Sequence, residues 1–429
     1  MNNLKRFSLL TVASGAMITS LAGAQGQNDY YSREKYEAVS DRYQPAFDPE
    51  PIRVGAFRVN ATGIVGATAS SNVYATPTNE ESDVIARVGG NLDARTDWSA
   101  HEVGASLSAF HNEYLDFSDE SYDDLRGELR GRLDVTREFA LGASAFAETS
   151  AEQRTDPANT NGLAAPIEYD RSGATLEANY RNDRVRWQNA VSFTQVDFED
   201  GRQIGTNAVV DTSFRDSETT EGRSRLSYAV TPNLAVFGQG TVRELTYDND
   251  QLIAGALHSR DSDGYTLAGG LDFELTALVR GDIAVGYMSE DKKDPFFEDV
   301  DGLSVDGRML WFPSRLTTAT FTAGRQVIDV GDIDSPSVVQ TRLGGRLDHE
   351  LRRNVILSGE LTYADYDYQE SDRSDEVTSV QASVLYKMNK KVHVEAYARR
   401  RDREASGSAL VFNPDYGVST FGVQLRLHP

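Results

Sequence analysis

The sequence predicts an all-β protein, a transmembrane antiparallel up-and-down β-barrel of about eighteen strands (with sixteen as the lower bound), and three observations predict it. Alternating apolar and polar runs recur without a linker from residue 52 to the end of the chain. The connections between them alternate short and long, and the amino terminus carries an export signal. No later run is long and apolar enough to cross a bilayer as a helix, so the exported chain is either a soluble β-protein or a barrel.

In chain order, Lys5 and Arg6 precede an apolar stretch over 7–21, and Ala22-Gly23-Ala24 supplies a small-x-small cleavage site at Ala22 and Ala24. Residues 1–24 are therefore expected to be a signal peptide. Residues 25–51, with Tyr30, Tyr31, Tyr36 and Tyr43, show no clean period and read as a periplasmic extension or plug. The barrel is expected over 52–429. Cysteine is absent, which suits an oxidising folding route and rules out a disulfide framework or thiolate metal site. The net charge of −23 excludes the basic footprint of a nucleic-acid binder.

The repeating unit is plainest over 338–368. Val339, Thr341, Leu343, Gly345 and Leu347 fall on one side of a strand, and Gln340, Arg342, Arg346 and Asp348 on the other. After Arg352-Arg353-Asn354 the pattern repeats, with Val355, Leu357, Leu361 and Tyr363 opposite Ser358, Glu360 and Thr362. A soluble sandwich buries such apolar faces against a second sheet, whereas a membrane barrel turns them to lipid. Runs of this kind begin near residues 52, 84, 101, 121, 139, 171, 184, 221, 234, 263, 279, 302, 316, 338, 355, 376, 391 and 416. Short connections at 96–99, 136–138, 181–183, 231–233, 276–278, 313–315, 352–354 and 389–390 alternate with long ones such as 154–170, 200–220 and 248–262. That beat is the periplasmic-turn, extracellular-loop rhythm of an outer-membrane barrel. Next to the short turns stand Trp98, Tyr180, Trp187, Tyr228, Phe273, Trp311 and Tyr386, the expected aromatic girdle at the membrane boundary.

Arg95-Thr96-Asp97-Trp98-Ser99, Leu133-Asp134-Val135-Thr136-Arg137 and Asp294-Pro295-Phe296-Phe297 resemble segments of the putative β-barrel porin 2 family of Gram-negative outer-membrane proteins. So do Arg260-Asp261-Ser262-Asp263-Gly264-Tyr265, Trp311-Phe312-Pro313-Ser314-Arg315-Leu316-Thr317-Thr318 and Arg346-Leu347-Asp348-His349-Glu350-Leu351-Arg352-Arg353-Asn354-Val355. The resemblance implies an outer-membrane barrel, some of whose broad relatives are encoded with exopolysaccharide or capsule export machinery; it implies no catalytic residues. One departure is the chain end, where Phe421, Val423, Leu425 and Leu427 alternate correctly but are followed by His428-Pro429 rather than an aromatic signal for the barrel-assembly machinery.

If the apolar register meets lipid, the other lines the lumen. It carries Arg87 and Arg95, then Arg126, Glu128, Arg130 and Arg132, then Arg223 and Arg225. Asp272, Arg280, Asp306 and Arg308 follow, then Arg342 and Arg346, and finally Glu395, Arg399 and Arg401. These charges either set a transverse field that favours anionic or zwitterionic solutes or pair across strands and stiffen the wall. Tyr363, Tyr366 and Tyr368 offer stacking platforms for sugars or a second girdle. Acidic loops suggest contact with lipopolysaccharide through divalent cations, and Asp261-Ser262-Asp263-Gly264 is a fragment of a calcium-loop pattern without its later ligands. The six histidines form no H-E-x-x-H and no G-x-S-x-G occurs, so no enzyme, cofactor or metal is expected.

The expected function is a pore for hydrophilic solutes in the outer membrane of a Gram-negative bacterium, with a part in exopolysaccharide or capsule export. The alternatives are a general diffusion porin and a structural or adhesive barrel binding a partner through its acidic loops. Expected partners are outer-membrane lipid and lipopolysaccharide, the assembly machinery, and polysaccharide or its export apparatus.

Overall fold

A run of alternating residues satisfies its own hydrogen bonds only against neighbours, and in hydrocarbon the last edge has to meet the first. This chain meets that condition. The computed structural model describes residues 37–157, 162–253, 255–331, 335–407 and 415–429. The expected signal peptide and the first part of the extension lie outside the described residues.

Eighteen long strands follow one another: β1 (Phe57–Ser70), β2 (Asp83–Thr96), β3 (Glu102–Tyr114), β4 (Tyr122–Asp134), β5 (Phe139–Ala151) and β6 (Glu168–Arg181). Then come β7 (Val185–Phe198), β8 (Ser217–Thr231), β9 (Leu234–Tyr247), β10 (Ser262–Leu275), β11 (Val279–Lys292) and β12 (Val300–Ser314). The last six are β13 (Thr317–Ile328), β14 (Val338–Arg352), β15 (Val355–Tyr368), β16 (Ser374–Lys387), β17 (Val392–Ser406) and β18 (Tyr416–Leu427). Each pairs antiparallel with the next, and β18 closes on β1 from Gly63↔Leu427 to Ser70↔Thr420. The result is a closed up-and-down barrel.

Its apolar register points outward. Leu343 and Leu361 are 51% and 53% exposed, and the same faces of other strands show Val88, Leu92, Leu129, Leu176, Val191, Leu226, Leu267 and Val285. A soluble sandwich would have buried them; hydrocarbon is the neighbour that this surface fits. The aromatic residues expected at the boundary line up at the periplasmic ends of that outer face, where Tyr180 pairs with Trp187, Leu226 with Trp187, Val279 with Trp311 and Val355 with Tyr386. Tyr228 and Phe273 stand at the same level on β8 and β10, and Trp98 sits in the β2–β3 turn.

Three expectations are corrected. The first strand does not begin at residue 52. Ile52–Val54 is a separate short strand that doubles back on β1, with Val54 opposite Phe57. The turn between them is Gly55-Ala56, and Gly55 has φ +61°, the geometry a two-residue hairpin needs and glycine provides at no steric cost. The tyrosines over 363–368 do not act together, because strand alternation puts Tyr363 on the outer face while Tyr366 and Tyr368 point inward and are buried, at 2% and 1% exposed. In the same way Ser262, Asp263 and Gly264 belong to β10 rather than to a loop, so their side chains diverge and cannot close on a calcium ion.

β12 and β13 separate at their outer ends. Their ladder stops at Val305↔Arg325, although β12 continues to Val300 and β13 to Ile328. Val327 and Val339 instead pack with Met288 and Val300, so the outer end of the β13–β14 hairpin leans against the inner side of β11 and β12.

Candidate functional site: the lumen and its two mouths

The inner register holds every lumen residue expected from the sequence, and the structure brings most of them into pairs. On the arc from β2 to β6, Arg130 meets Asp93 at 2.5 Å, Arg126 meets Glu148 at 2.5 Å and Glu128 at 3.4 Å, Arg171 meets Glu148 at 2.9 Å, and Arg87 lies 3.6 Å from Asp124. Arg87 also donates to Asn112 at 2.9 Å. On this arc Arg87, Arg126, Arg130 and Arg171 face Asp93, Asp124, Glu128 and Glu148, so the wall is electrically self-compensated. Further round, Arg225 lies 3.6 Å from Asp282 and stacks over Phe237, Arg346 pairs with Asp348 at 3.0 Å and Glu360 at 3.3 Å, and Arg426 pairs with Glu395. Arg399 donates to Gln381 at 2.8 Å, and Arg280 stacks over Phe312. Asp306 and Arg308 are open to the lumen, and Asp272, Arg223 and Arg342 share the inner face with them. Arg95 and Arg132 stand at the periplasmic end, Arg132 against Asp134 at 2.9 Å.

The periplasmic mouth is bordered by the extension. Ala38 packs on Leu310 and Phe312, and the Val39 amide donates to Thr318 Oγ1 at 3.0 Å. Arg42 and Gln44 reach Glu350 at 2.8 and 3.2 Å, Asp48 accepts from the buried Lys387 ammonium at 2.5 Å, and Glu50 pairs with Lys390. His393 Nε2 lies 2.9 Å from the Phe47 carbonyl oxygen, and its ring is 4.7 Å from that of His428. Burial, then the neighbouring His393, pushes the His428 imidazole down to about 4. The Lys390 partner holds the exposed Glu50 carboxyl below its usual range. All these contacts fall on the arc from β12 to β17, and the described part of the extension is a strap along one side of the rim.

The extracellular mouth is different, and sequence reasoning missed it. Residues that read as solvated loop fold inward and bury their charges. Arg154 grips Glu120 through two bonds of 2.8 and 2.5 Å and donates to the Leu163 carbonyl at 3.0 Å. Arg215, in the turn Ser213–Arg215, makes a two-pronged pair with Glu152 and stacks over Phe198. Burial opposes its charge, but Glu152 and then Asp329 outweigh that and hold the guanidinium above its ordinary range. Arg260, fully buried, donates to Gln251 at 3.2 Å and meets Asp329 at 3.3 Å. The carbonyl of Thr155 accepts from Arg401 at 3.0 Å and from Tyr416 at 2.9 Å. Beside that contact, Arg373 and Arg403 close on Asp375 at 2.7 and 2.5 Å. The one sequence signal for this layer is an arginine set one to four residues outside a strand in an otherwise acidic loop, as with Arg154, Arg215 and Arg260.

A charged inner face inside an apolar shell presents a continuous polar surface along the barrel axis. Among solved structures, the chain resembles a copper transporter, OprC (12% identity, 89% of this chain and 81% of that one, TM-score 0.49). It also resembles OccK2 (OpdF) of Pseudomonas aeruginosa in complex with glucuronate (10% identity, 87% and 98%, TM-score 0.46). A BenF-like porin of Pseudomonas fluorescens Pf-5 is similar at 8% identity, 86% and 99% coverage and TM-score 0.46. No curated protein matches the sequence. The sequence model of the family described as Putative beta-barrel porin 2 matches residues 44–428, the whole barrel and the end of the strap, and the chain belongs to that family.

Proposed function

We propose that this barrel is a passive outer-membrane pore for hydrophilic, largely uncharged solutes, with polysaccharide or its fragments as the cargo class, sited in a Gram-negative envelope. The observation that carries the reading is the self-compensated wall from β2 to β6, where four arginines face four carboxylates at 2.5 to 3.6 Å. Paired charges leave a polar surface of fixed hydrogen-bonding groups with little net field, which suits a neutral polyhydroxylated chain better than an ion. Export as part of a capsule or exopolysaccharide system is the finer form of this reading, and family resemblance is its support. Purified protein in planar bilayers tests it: weak ion selectivity, and current block by a neutral dextran oligomer, are expected. Strong anion or cation selectivity with no dextran block would overturn it.

A second reading has its own observation. On a small extracellular hairpin, Leu252 and Leu257 sit directly opposite each other and are 69% and 66% exposed. An apolar pair displayed at a loop tip fits a surface barrel that binds a partner. Loss of cell attachment in Leu252→Ser/Leu257→Ser with solute flux unchanged would favour it.

A further inference from the structure

The contacts at the outer mouth form two chords across it. One runs from the loop after β5 to the wall about a third of the way round the ring, where the Thr155 carbonyl meets Arg401 of β17 and Tyr416 of β18. The other joins the turn before β8 to the loop after β13. Gly331 comes so close to Arg215 that a Cβ built there would lie 2.3 Å from Nε, and its φ of +68° also favours glycine. Four strands lie between β8 and β13, and four or five between β5 and the β17–β18 pair, so neither contact is one that neighbouring loops make by default. Arg215 links the two chords, because the same guanidinium is held by Glu152, three residues before Thr155 in the chain. Arg260, over the Phe214 ring of the same turn, ties the β13–β14 loop again through Asp329.

We propose that the contacts among Glu152, Thr155, Arg215, Arg260, Asp329 and Gly331 are a latch that holds the outer mouth closed, with Arg215 as its keystone. The inference rests on the reading of the barrel as a pore. Its physical basis is that a buried arginine and carboxylate released from each other are each left uncompensated unless water reaches them. The latch therefore has two stable arrangements rather than a graded one: pairs made and the mouth dry, or pairs broken and the mouth flooded. A surface pair, always wet, has no such threshold. The lean of the β13–β14 hairpin against Met288 and Val300 supplies the moving part, since its outer end is already free of the β12 ladder beyond Val305↔Arg325.

The test uses the full chain, refolded in detergent and inserted into planar bilayers in potassium chloride, with assembly checked by heat-dependent gel mobility. The wild type is expected to dwell mostly in a low-conductance state. Glu152→Arg alone and Arg215→Glu alone are expected to raise conductance or open time several-fold, and the combined exchange, which restores a pair of opposite sense, to bring it back down. A wild type already fully open, or single variants indistinguishable from it, would overturn the latch while leaving the pore reading intact. Where a charge reversal does not assemble, Glu152→Gln carries the test, with a longer open time expected and an unchanged one decisive against it. Silence from the wild type and from every variant would overturn the pore reading and the latch together.

Discussion

The two mouths are built from the same materials and arranged oppositely. At the periplasmic rim a segment of chain lies along neighbouring strands, and its ion pairs grade from buried Asp48–Lys387 to exposed Glu50–Lys390. At the outer rim, loops meet one another: Glu120–Arg154 and Glu152–Arg215 join consecutive loops and are all but shut off from water, and the Thr155 and Gly331 contacts carry the layer on to more distant strands. An ion pair parallel to a wall fastens a segment. The same pair strung across an opening closes it. What differs is whether the segment runs along the wall or loop meets loop over the opening, not the chemistry of the residues.

The sharpest way to break this comparison is to remove one buried charge from the outer layer. Arg260→Ala leaves Asp329 beside an emptied site, and breaking a buried pair from one side costs about 3–5 kcal/mol. The expected outcome is a marked fall in the temperature at which the barrel loses its compact gel mobility, together with raised protease sensitivity near residue 329. If thermal stability is unchanged, the outer layer is not the cooperative unit described.

Lys387→Ala makes the matching cut at the periplasmic side, where Asp48 would lose a buried partner. A loss of about 2–4 kcal/mol is expected for the strap, because it retains its other contacts with β12 to β17 and can swing Asp48 into water. Proteolysis should then remove residues 37–50 while the barrel itself stays resistant, and conductance should hardly change. A large change in conductance would make the strap a plug and erase the contrast between the mouths.

A subtler cut is Gly331→Ala. It asks a non-glycine residue to hold φ +68° and pushes a Cβ into Arg215, at a cost of about 1–3 kcal/mol confined to the loop. Open time should rise while the melting behaviour of the barrel stays put.

How much of this was legible in the sequence follows from the range of the interactions. Strand alternation is local: Leu343 and Arg342 declare opposite faces by adjacency, and the short turns show as two to four polar residues, so the barrel, its count and its lumen face could be read directly. The Gly55-Ala56 hairpin was local as well: the apolar phase slips there, from Ile52 and Val54 to Phe57 and Val59, a signal masked by the apolar residues on both sides of it. The outer layer was illegible for a different reason. Arg154, Arg215 and Arg260 find their partners 34, 63 and 69 residues away, and nothing in a loop's own composition says whether its charges face water or one another. The net charge of −23 pointed toward solvated acidic loops; the few arginines among them are what turn those loops inward.

The smallest effects separate the strap's two ends. His428 has its imidazole pushed down to about 4 from an ordinary value near 6.5. The released chain therefore binds more protons than the packed one over that interval, and the contribution of this corner is fully present above about pH 6.5 and lost as pH falls toward 4. Thr62, 3.2 Å from His428 Nδ1, ties the same ring to β1, so acid should loosen the β1–β18 seam and the strap near His393 together. Hydrogen exchange at the Ser40–Phe47 stretch, compared at pH 7 and pH 5, reads this out, and equal protection at both would argue that His428 does not couple to the strap. Glu50–Lys390 is the control. Both side chains are water-exposed, so Lys390→Ala is expected to leave strap proteolysis and conductance as they were, because solvent already offers each charge nearly what its partner does.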